Sequence, residues 1–380
     1  MTSPWRQPHQ REKRGSVPVL SSLLAAAVLV GCALGPVQRG PAAAPRPAAL
    51  STTARGPVVP PAPPPSQPGA VSSQLTSCAA SWAQTGVLAG LFTIPAAPTG
   101  INVCGPGTLR PAPMPAGCTA MVAATALQAA VNAAGPGSRI CTEGNSPQRL
   151  TVTRSGSAQA PIQILGIGQT SVKGITVQAS NVVVAGLNAA LAVAPGIQLT
   201  GDNITLLNNT ITSPRGGDGD GIRFFGNNLN ILHNTVTDVR NLGGAHADCM
   251  QTYATNTPTS QHVLISSNRC VHVDNQCLIA EGPNSSAGDG SGKGQSSDIT
   301  FTNNFCDTDA SQALMIDDVQ NVVVIGNAIT GGNAKAFAFA NKSTGAVVSN
   351  NAVAKTIGYL VGMDSSSQPG YQGPPVGGKP

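Results

Sequence analysis

A short apolar strand pattern recurs eight times between Ile175 and the end of the chain, and it constrains the fold more than any other feature. Successive copies lie 22 to 36 residues apart. The copies begin at Ile175, Ile197, Ile222, Met250, Leu278, Leu314, Phe337 and Leu360. A repeat of two short strands cannot bury its own apolar face, so the repeats must stack on one another.

A second apolar strand follows six of these copies and ends in asparagine. The asparagines are Asn209, Asn234, Asn268, Asn304, Asn327 and Asn351. In the first strand, as in IRFF or LMID, alternate residues are apolar or small while the others vary, which indicates one face against a core. Most connectors are longer than the two-residue turns of antiparallel hairpins.

These patterns predict an all-β fold, a right-handed single-stranded parallel β-helix of about eight to nine coils. The asparagines are expected to stack at a bend and bond the backbone groups that the bend would leave unpaired. Asn333, in the segment GGN, is expected to be exposed and outside this ladder.

The segments PGSRICTEG, SGSAQAPIQILG and VVVAGL precede the first asparagine turn. With them, roughly residues 120 to 365 resemble the pectate-lyase-like superfamily of right-handed parallel β-helix proteins. That superfamily contains pectate, alginate and chondroitin lyases, polygalacturonases, epimerases, phage depolymerases and non-catalytic adhesins, so the resemblance implies a fold and no single activity. The paired-Asp and His-Gly motifs of polygalacturonases and the Asp-Pro-His-Asp motif of calcium-dependent epimerases are absent from the sequence.

Residues 1–31 are predicted to be a lipoprotein signal peptide. They combine a basic start with an apolar run over residues 17–31 that is too short to span a bilayer. The run ends in Leu-Val-Gly-Cys, which resembles the lipobox in which the cysteine, here Cys32, becomes the lipidated first residue. An ordinary cleaved signal that removes Cys32 is the alternative. We expect an exported protein, either anchored through this lipid to the outer face of the cytoplasmic membrane or secreted.

The rest of the chain divides by composition. Residues 32–75 are rich in Pro and Ala and predict an extended tether. Residues 76–135 predict a cysteine-containing cap, in which 119–134 form a helix that covers the first coil. The β-helix is predicted over 136–365, followed by a flexible tail over 366–380, and we expect a monomer.

Nine cysteines are present, and eight remain after Cys32, enough for four disulfides in an oxidising compartment. Cys249 and Cys277 occupy equivalent positions in consecutive coils, and so do Cys270 and Cys306. Stacked positions lie about 4.8 Å apart, within the range of a disulfide. Each stacked pair is therefore predicted to be a disulfide or two buried thiols. The pairing stays open for Cys78, Cys104, Cys118 and Cys141.

The chain carries a net charge of +5, but residues 202–318 hold thirteen acids and five basic residues. Nucleic acid is excluded as a partner because affinity for phosphates needs clustered Lys and Arg. A polyanionic sugar would be repelled unless a cation such as Ca²⁺ bridges it to the carboxylates.

The acids align within the repeat. Two residues before the strand starts at 222, 250 and 278 lie Asp220, Asp248 and Gln276. Four residues before the same starts lie Asp218, His246 and Asp274. The outward strand positions carry Arg223, Gln251, Phe225, Tyr253, Glu281 and Asp317. In the coil that follows, the outward residues are Ala338 and Ala340, which have only small apolar side chains. Stacking at about 4.8 Å per coil predicts a groove roughly 15 to 20 Å long for several sugar units. An ordinary solvated strand face is the alternative.

Each aligned residue has an expected role. His246, placed between Asp218 and Asp274, is expected to be a proton donor or shuttle. Glu281 and Asp317 have about the spacing of the carboxyls in retaining glycosidases. The predicted catalytic residues are Arg223, His246, Asp248, Glu281 and Asp317. The predicted substrate-binding residues are Phe225, Gln251, Tyr253, Gln276 and Lys293. The predicted Ca²⁺ ligands are Asp220, Asp248, Glu281 and Asp317.

Three functional classes remain open, each with a polysaccharide as partner. The first interpretation is a uronate lyase; the bases typical of this superfamily's lyases are Arg or Lys, which here means Arg223 or Lys293. A glycoside hydrolase would use the paired carboxylates without a metal. A non-catalytic, adhesin-like surface module would use the same face to bind glycan.

Overall fold

The computed structural model describes residues 118–254 and 257–380. The predicted signal peptide, Cys32, the tether, Cys78 and Cys104 lie outside the described residues. Within the described part of the chain, no helix is long and apolar enough to cross a membrane.

The chain forms a parallel β-solenoid of about ten turns, built from three sheets. Sheet I contains β1 (Ala120–Ala123), β2 (Arg139–Glu143), β4 (Ile162–Gly166), β7 (Val182–Ala185), β10 (Ile204–Leu207), β13 (Asn230–Leu232), β16 (Ser260–Ser266), β19 (Ser297–Thr302), β22 (Val323–Ile325) and β25 (Val347–Ser349). Sheet II contains β3 (Leu150–Val152), β6 (Ile175–Val177), β9 (Ile197–Thr200), β12 (Ile222–Asn227), β15 (Met250–Tyr253), β18 (Leu278–Glu281), β21 (Gln312–Asp317), β24 (Lys335–Ala340), β27 (Tyr359–Met363) and β28 (Val376–Gly378). Sheet III contains β5 (Ser171–Val172), β8 (Asn188–Ala190), β11 (Thr210–Thr212), β14 (Thr235–Val239), β17 (Arg269–Val273), β20 (Phe305–Thr308), β23 (Ala328–Gly331) and β26 (Ala352–Val353).

The all-β solenoid confirms the predicted fold class, and the repeat register follows the sequence closely. Seven of the eight predicted strand starts pair with one another in order along sheet II. The predicted start at Leu360 is wrong by one residue, because Phe337 pairs with Val361. Leu360 is only half-buried while Val361 is fully buried. Two adjacent apolar residues fit the alternation equally well, so the pattern alone could not choose between them.

The solenoid extends beyond the predicted eight to nine coils at both ends. Strand β3 pairs with β6 before the first recognised repeat. Strand β28 pairs with β27 after the last one, so residues 376–378 belong to sheet II and not to a flexible tail. Inward residues of all coils form one continuous core, whose largest fully buried side chains include Phe224, Phe301, Phe337 and Phe339. Each such side chain contributes about 1.5 to 3 kcal/mol through burial.

The helix predicted over 119–134 is shorter in the structure. Helix α1 spans Leu127–Ala133, and residues 120–123 instead form β1, which pairs with β2. Pairing with a neighbouring strand satisfies the backbone of this segment, which helix propensity alone could not reveal. Leu127 and Val131 of α1 are buried in the core. That α1 caps the solenoid stays a prediction.

The asparagine ladder is present at the bend between sheets I and III. Nδ2 of Asn268 donates to Oδ1 of Asn304 at 3.0 Å and to the carbonyl of Ile231 at 2.8 Å. Oδ1 of Asn268 accepts from the backbone N–H and from Nδ2 of Asn234, at 2.8 and 3.0 Å. The same bonds join Asn209, Asn234, Asn268, Asn304, Asn327 and Asn351. Every bend is thereby supplied with both a donor and an acceptor.

Asn333 is not exposed as expected. It is 2 % exposed, and its Nδ2 donates to the carbonyls of Thr308 and Thr330, both at 3.0 Å. The Thr308 hydroxyl donates to its Oδ1 at 3.0 Å. The segment GGN therefore folds inward, because the side-chain amide of Asn333 binds backbone carbonyls that the turn after β23 would leave unpaired.

Three disulfides hold the described coils. They are Cys118–Cys141, Cys249–Cys270 and Cys277–Cys306, with Cα–Cα distances of 5.9, 6.0 and 5.8 Å. The predicted stacked partners are wrong, although all four cysteines are bonded. Stacked side chains point the same way into the core, whereas cysteines that meet across one coil face each other, as a disulfide requires. The disulfides fit an extracellular protein.

Candidate functional site

The predicted site residues lie on the outer side of sheet II, over strands β12, β15, β18 and β21, which we call the polar face. Arg223 pairs with Gln251, and Gln251 pairs with Ile279. Tyr253 pairs with Glu281, which pairs with Asp317. Since paired residues of parallel strands share a face, the coils bring together residues that are far apart in the sequence.

Asp220 and Asp248 stack at the bend that leads into sheet II, and we call them the Asp column. Oδ1 of Asp220 accepts from the backbone N–H of Asp248 at 3.0 Å. Oδ1 of Asp248 accepts from the backbone N–H of Gln276 at 2.9 Å. Both residues are 0 % exposed. Each carboxylate uses one oxygen to support the next coil and keeps its Oδ2 for a side chain of the polar face.

Arg223 occupies the free oxygen of Asp220. Its Nε donates to Asp220 Oδ2 at 3.0 Å, its Nη2 also contacts that atom, and Nη2 donates to Asp218 Oδ2 at 2.8 Å. Burial disfavours the charged form of Arg223, but Asp220 and Tyr253 outweigh it, so its pKa is raised. The two carboxylates hold Arg223 as a cation, and its predicted catalytic role stays a prediction.

His246 occupies the free oxygen of Asp248. The two side chains meet through His246 Nδ1 and Asp248 Oδ2 at 2.9 Å. Burial lowers the pKa of His246, but the hydrogen bond and charge of Asp248 outweigh it and raise the pKa above its usual value. Burial raises the pKa of Asp248 to about 7, against the opposing effect of His246. The pair is arranged as a histidine with its orienting carboxylate.

The expected flanking of His246 by Asp218 and Asp274 is wrong. Asp218 bonds Arg223, and Asp274 accepts from Arg240 Nη1 at 2.7 Å and from the backbone N–H of Asn241 at 2.9 Å. At the bend before β15, the side chain of His246 instead contacts Asp248, which lies two residues further along the chain. A count of equivalent positions cannot detect such a local contact.

Glu281 is the carboxyl group with the most freedom on the polar face. No hydrogen bond to its side chain occurs among the described residues, although it is largely buried. Burial first, then the charges of Asp317 and Asp248, raise its pKa to about 7, while His246 opposes them. A carboxyl group with this pKa can exchange a proton near neutral pH.

Asp317 is more constrained than its neighbour Glu281. Oδ1 accepts from Nδ2 of Asn341 at 2.7 Å, and Oδ2 accepts from the backbone N–H of Ser286 at 3.3 Å. Burial is the main cause that raises its pKa. Asp317 thus ties residues 282–296, which contain exposed Lys293, to strand β21.

The predicted substrate-binding residues differ in what they offer. Phe225 is 4 % exposed and meets Tyr253 edge to face, with ring centroids 5.0 Å apart, so the expected flat stacking surface does not form. Tyr253 is partly exposed and lies under the Arg223 guanidinium at 5.3 Å. Oε1 of Gln251 and Oε1 of Gln276 are buried acceptors without a partner among the described residues, whereas the Gln251 side chain as a whole is partly exposed.

The four predicted Ca²⁺ ligands do not fit a calcium ion. The oxygens of Asp220 and Asp248 bind backbone N–H groups, Arg223 and His246. Of the four predicted ligands, only Glu281 has two oxygens without a hydrogen bond from a described residue. No group of three or more His, Cys, Asp or Glu among the described residues could hold a metal. Ca²⁺ prefers six to eight oxygen ligands. Calcium binding stays a prediction, and we derive no catalytic step through it.

Two residues of this face were missed in the sequence. Asn341 was not recognised because it follows β24 and acts on Asp317 in the coil before it. Lys335 was missed because the outward Ala338 and Ala340 made this end of the face look bland. Lys335 lies two residues before Phe337, at the repeat position of the Asp column, so the same count would have found it.

Comparisons with known proteins identify no family. No protein-family model and no curated protein matches the chain. An alginate lyase from Paenibacillus sp. str. FPU-7 is 16% identical with a TM-score of 0.42, and the match covers 67% of this chain and 99% of that one. A PL6 family polysaccharide lyase from Pseudopedobacter saltans is 16% identical with a TM-score of 0.45, covering 61% and 63%. A pectate lyase is 13% identical with a TM-score of 0.40, covering 62% and 78%. These similarities assign no activity to the chain.

Proposed function

We propose that the polar face binds a polysaccharide and that the protein cleaves it as a uronate lyase. The observation that carries the proposal is the His246–Asp248 pair beside Glu281. The pair is held at 2.9 Å, and Glu281 has a pKa of about 7 and no hydrogen-bond partner among the described residues. Titratable groups with shifted pKa values that share one face are typical of catalytic sites.

In a lyase, a base removes the proton next to the uronate carboxylate and the glycosidic oxygen leaves. Neutral His246 accepts that proton on Nε2, while Asp248 holds Nδ1–H and stabilises the imidazolium that forms. Protonated Glu281 gives a proton to the departing oxygen, so the proton balance closes. Arg223 provides positive charge for the uronate carboxylate. Gln251 and Tyr253, both partly exposed on this face, contact the sugar.

A glycoside hydrolase is the second candidate. Glu281 and Asp317 are neighbours in register, about 4.8 Å apart along the coils, close to the spacing of a retaining pair. The pKa values of both are raised, chiefly by burial. In this alternative Glu281 is the acid and Asp317 the nucleophile, and His246 has no direct part. A surface module that only binds glycan needs neither reaction.

Product analysis separates the three classes. The full chain is incubated with uronate polysaccharides and neutral polysaccharides, with and without a chelator. A lyase produces unsaturated uronates, which absorb ultraviolet light, whereas a hydrolase produces reducing ends without that absorbance. Binding of a glycan without either product contradicts the enzymatic proposal. Loss of product with the chelator would indicate a metal that the polar face does not explain.

We also propose that Cys32 anchors the exported protein through a lipid. The support is the Leu-Val-Gly-Cys sequence after a basic and apolar start, followed at once by the Pro-rich segment. Replacement of Cys32 by Ala should move the protein from the membrane fraction to the soluble fraction. An unchanged distribution, together with an intact mass that shows no lipid on the parent, contradicts the anchor.

A further inference from the structure

Lys335 has a largely buried side chain and no counter-ion among the described residues. It is 9 % exposed, and no described residue forms a hydrogen bond or an ion pair with its ammonium group. Burial is the cause that lowers its pKa, and no nearby acid opposes the shift. Its unpaired ammonium nitrogen is still open to solvent, so the buried stem holds a cation in place for an anion that arrives from outside.

The side chain of Lys335 lies across small residues of sheet II. Lys335 begins β24, and the next outward positions of β24 and β27 are Ala338 and Gly362, which pair with each other. A β-carbon on Gly362 would first meet the backbone carbonyl of Lys379 and would lie 3.0 Å from Cδ of Lys335, so the glycine leaves space for both the C-terminal backbone and the lysine stem. Small neighbours thus let the ammonium group stay on the same outer side as the polar face.

The charge along this repeat position changes sign. In successive coils the position is occupied by Asp220, Asp248, Gln276, Gln312 and Lys335. Acids lie at one end, neutral amides follow, and the lysine lies three coils beyond Asp248, about 14 Å away at the usual strand spacing. A glycan that runs along the solenoid would therefore meet His246 and Lys335 with different sugar units.

We propose that Lys335 binds a carboxylate of an anionic glycan and forms a charge-recognition subsite at the far end of the polar face. The inference rests on the proposed function, because it needs a glycan along sheet II. A carboxylate would form charge-assisted hydrogen bonds with the ammonium group. Lys335 would then select uronate chains over neutral ones and would fix the direction in which the chain lies.

Binding measurements on the full chain test the subsite. The probes are oligomers of galacturonate and of mannuronate, each compared with its methyl ester, which keeps the sugar but removes the charge. We expect the parent to bind at least one acid form, and Lys335→Gln to weaken that binding by about tenfold or more and to reduce its salt dependence. Lys355→Gln removes an exposed charge and should change neither value.

Three results would overturn the inference: equal affinity of the parent and Lys335→Gln, equal affinity of the parent for the acid and its ester, or no binding of either acid oligomer. Lys335→Met keeps the apolar stem and replaces Lys335→Gln if that variant does not fold by circular dichroism. Cleavage is scored separately. Product formation with an unchanged KM in Lys335→Gln rejects the subsite alone, whereas Lys335-dependent binding without any product rejects the lyase alone.

Discussion

The asparagine ladder and the Asp column both stack one residue type at a bend of the solenoid, yet they differ in chemistry. The side chain of Asn268 in the ladder donates to Asn304 and to the carbonyls of Ile231 and Ser266, and it accepts two hydrogen bonds from Asn234. Asp248 in the column supports the next coil with one oxygen only and leaves the other to His246. Asp220 does the same with Arg223.

This difference follows from the two side chains. An amide has both donors and acceptors, so stacked asparagines satisfy one another and remain neutral. A carboxylate has only acceptors, and stacked aspartates must recruit cations to balance two buried charges. The ladder therefore supports the fold, whereas the Asp column binds a histidine and an arginine on the outer face. The same stacking geometry yields a support in one region and a candidate site in the other.

Two disulfides join these two regions. Cys249 follows Asp248 and Cys277 follows Gln276, and both bond across their own coils to sheet III. Each disulfide thus holds the bend whose backbone N–H groups the Asp column binds. Their partners Cys270 and Cys306 lie two residues after the ladder residues Asn268 and Asn304, so the same disulfides also hold the ladder strands.

The largest expected effect is on catalysis. Replacement of His246 by Ala should reduce the rate of polysaccharide cleavage by about 10² to 10⁴ fold, because a positioned acid or base contributes that much. His272 is the matched control, since its Nδ1 meets Asp238 Oδ1 at 3.1 Å on the surface of sheet III. His272→Ala should keep full activity. Equal losses in both variants would contradict the assignment of the site to the polar face.

Asp248→Asn separates the two roles of Asp248, which are to support the next coil and to orient His246. An asparagine can still accept from Gln276 through Oδ1, so the melting temperature should change little. Its Nδ2 cannot accept a hydrogen bond from His246 Nδ1–H, so activity should fall as for His246→Ala. A variant that loses stability while it keeps its specific activity would show that Asp248 serves structure only.

The ladder should lose stability without a specific loss of activity. Asn268→Leu leaves the backbone N–H of Asn234 and the carbonyl of Ile231 unpaired, at roughly 1 to 3 kcal/mol for each group. We expect a lower free energy of unfolding by about 3 kcal/mol and a lower melting temperature in a thermal scan. The control is Asn132→Leu on the exposed side of α1. Equal melting temperatures for the two variants would contradict the ladder's role.

Each disulfide should contribute about as much as Asn268 does in the ladder, and its loss should affect both regions. The Cys249–Cys270 and Cys277–Cys306 bonds close loops of 21 and 29 residues, which is worth about 3 kcal/mol for each in a chain-entropy estimate. In reductant, activity should fall together with the protection from hydrogen exchange at Asn268 and its neighbours, because both disulfides adjoin the ladder as well as the polar face. Peptide mapping that finds Cys249 bonded to Cys277 would contradict the pairing.

The sequence contained most of the fold because stacking is periodic. Each predicted strand start and each ladder asparagine indicates the same register independently. The one-residue error at Leu360 therefore did not change the predicted register of the other coils. The pattern could not fix details that break the period. The segment before α1 became β1 because it found a partner strand in β2, and Asn333 turned inward because the turn after β23 needed an amide.

The site was predicted less completely for the same reason. Alignment placed Glu281, Asp317, Gln251 and Arg223 on one face, as the strand register requires. Contacts within a bend are local, so the partner of His246 and the double ion pair of Arg223 could not be read from equivalent positions. Cysteine partners likewise depend on which way side chains point, which spacing does not report.

The smallest expected effect concerns pH and comes from Glu281. Burial raises its pKa from the ordinary 4.5 to about 7, so the folded protein holds this proton more tightly than the unfolded chain does. Stability should therefore fall as pH rises from about 4.5 to 7, by at most about 3 kcal/mol from this group. Glu281→Gln cannot ionise, so it should equal the parent in stability near pH 4 and exceed it at pH 8. Urea unfolding at both pH values measures this, with exposed Glu143→Gln as the control. An unchanged difference between pH 4 and pH 8 would mean that Glu281 is ionised in the folded protein, and the general acid would have to be sought elsewhere on the polar face.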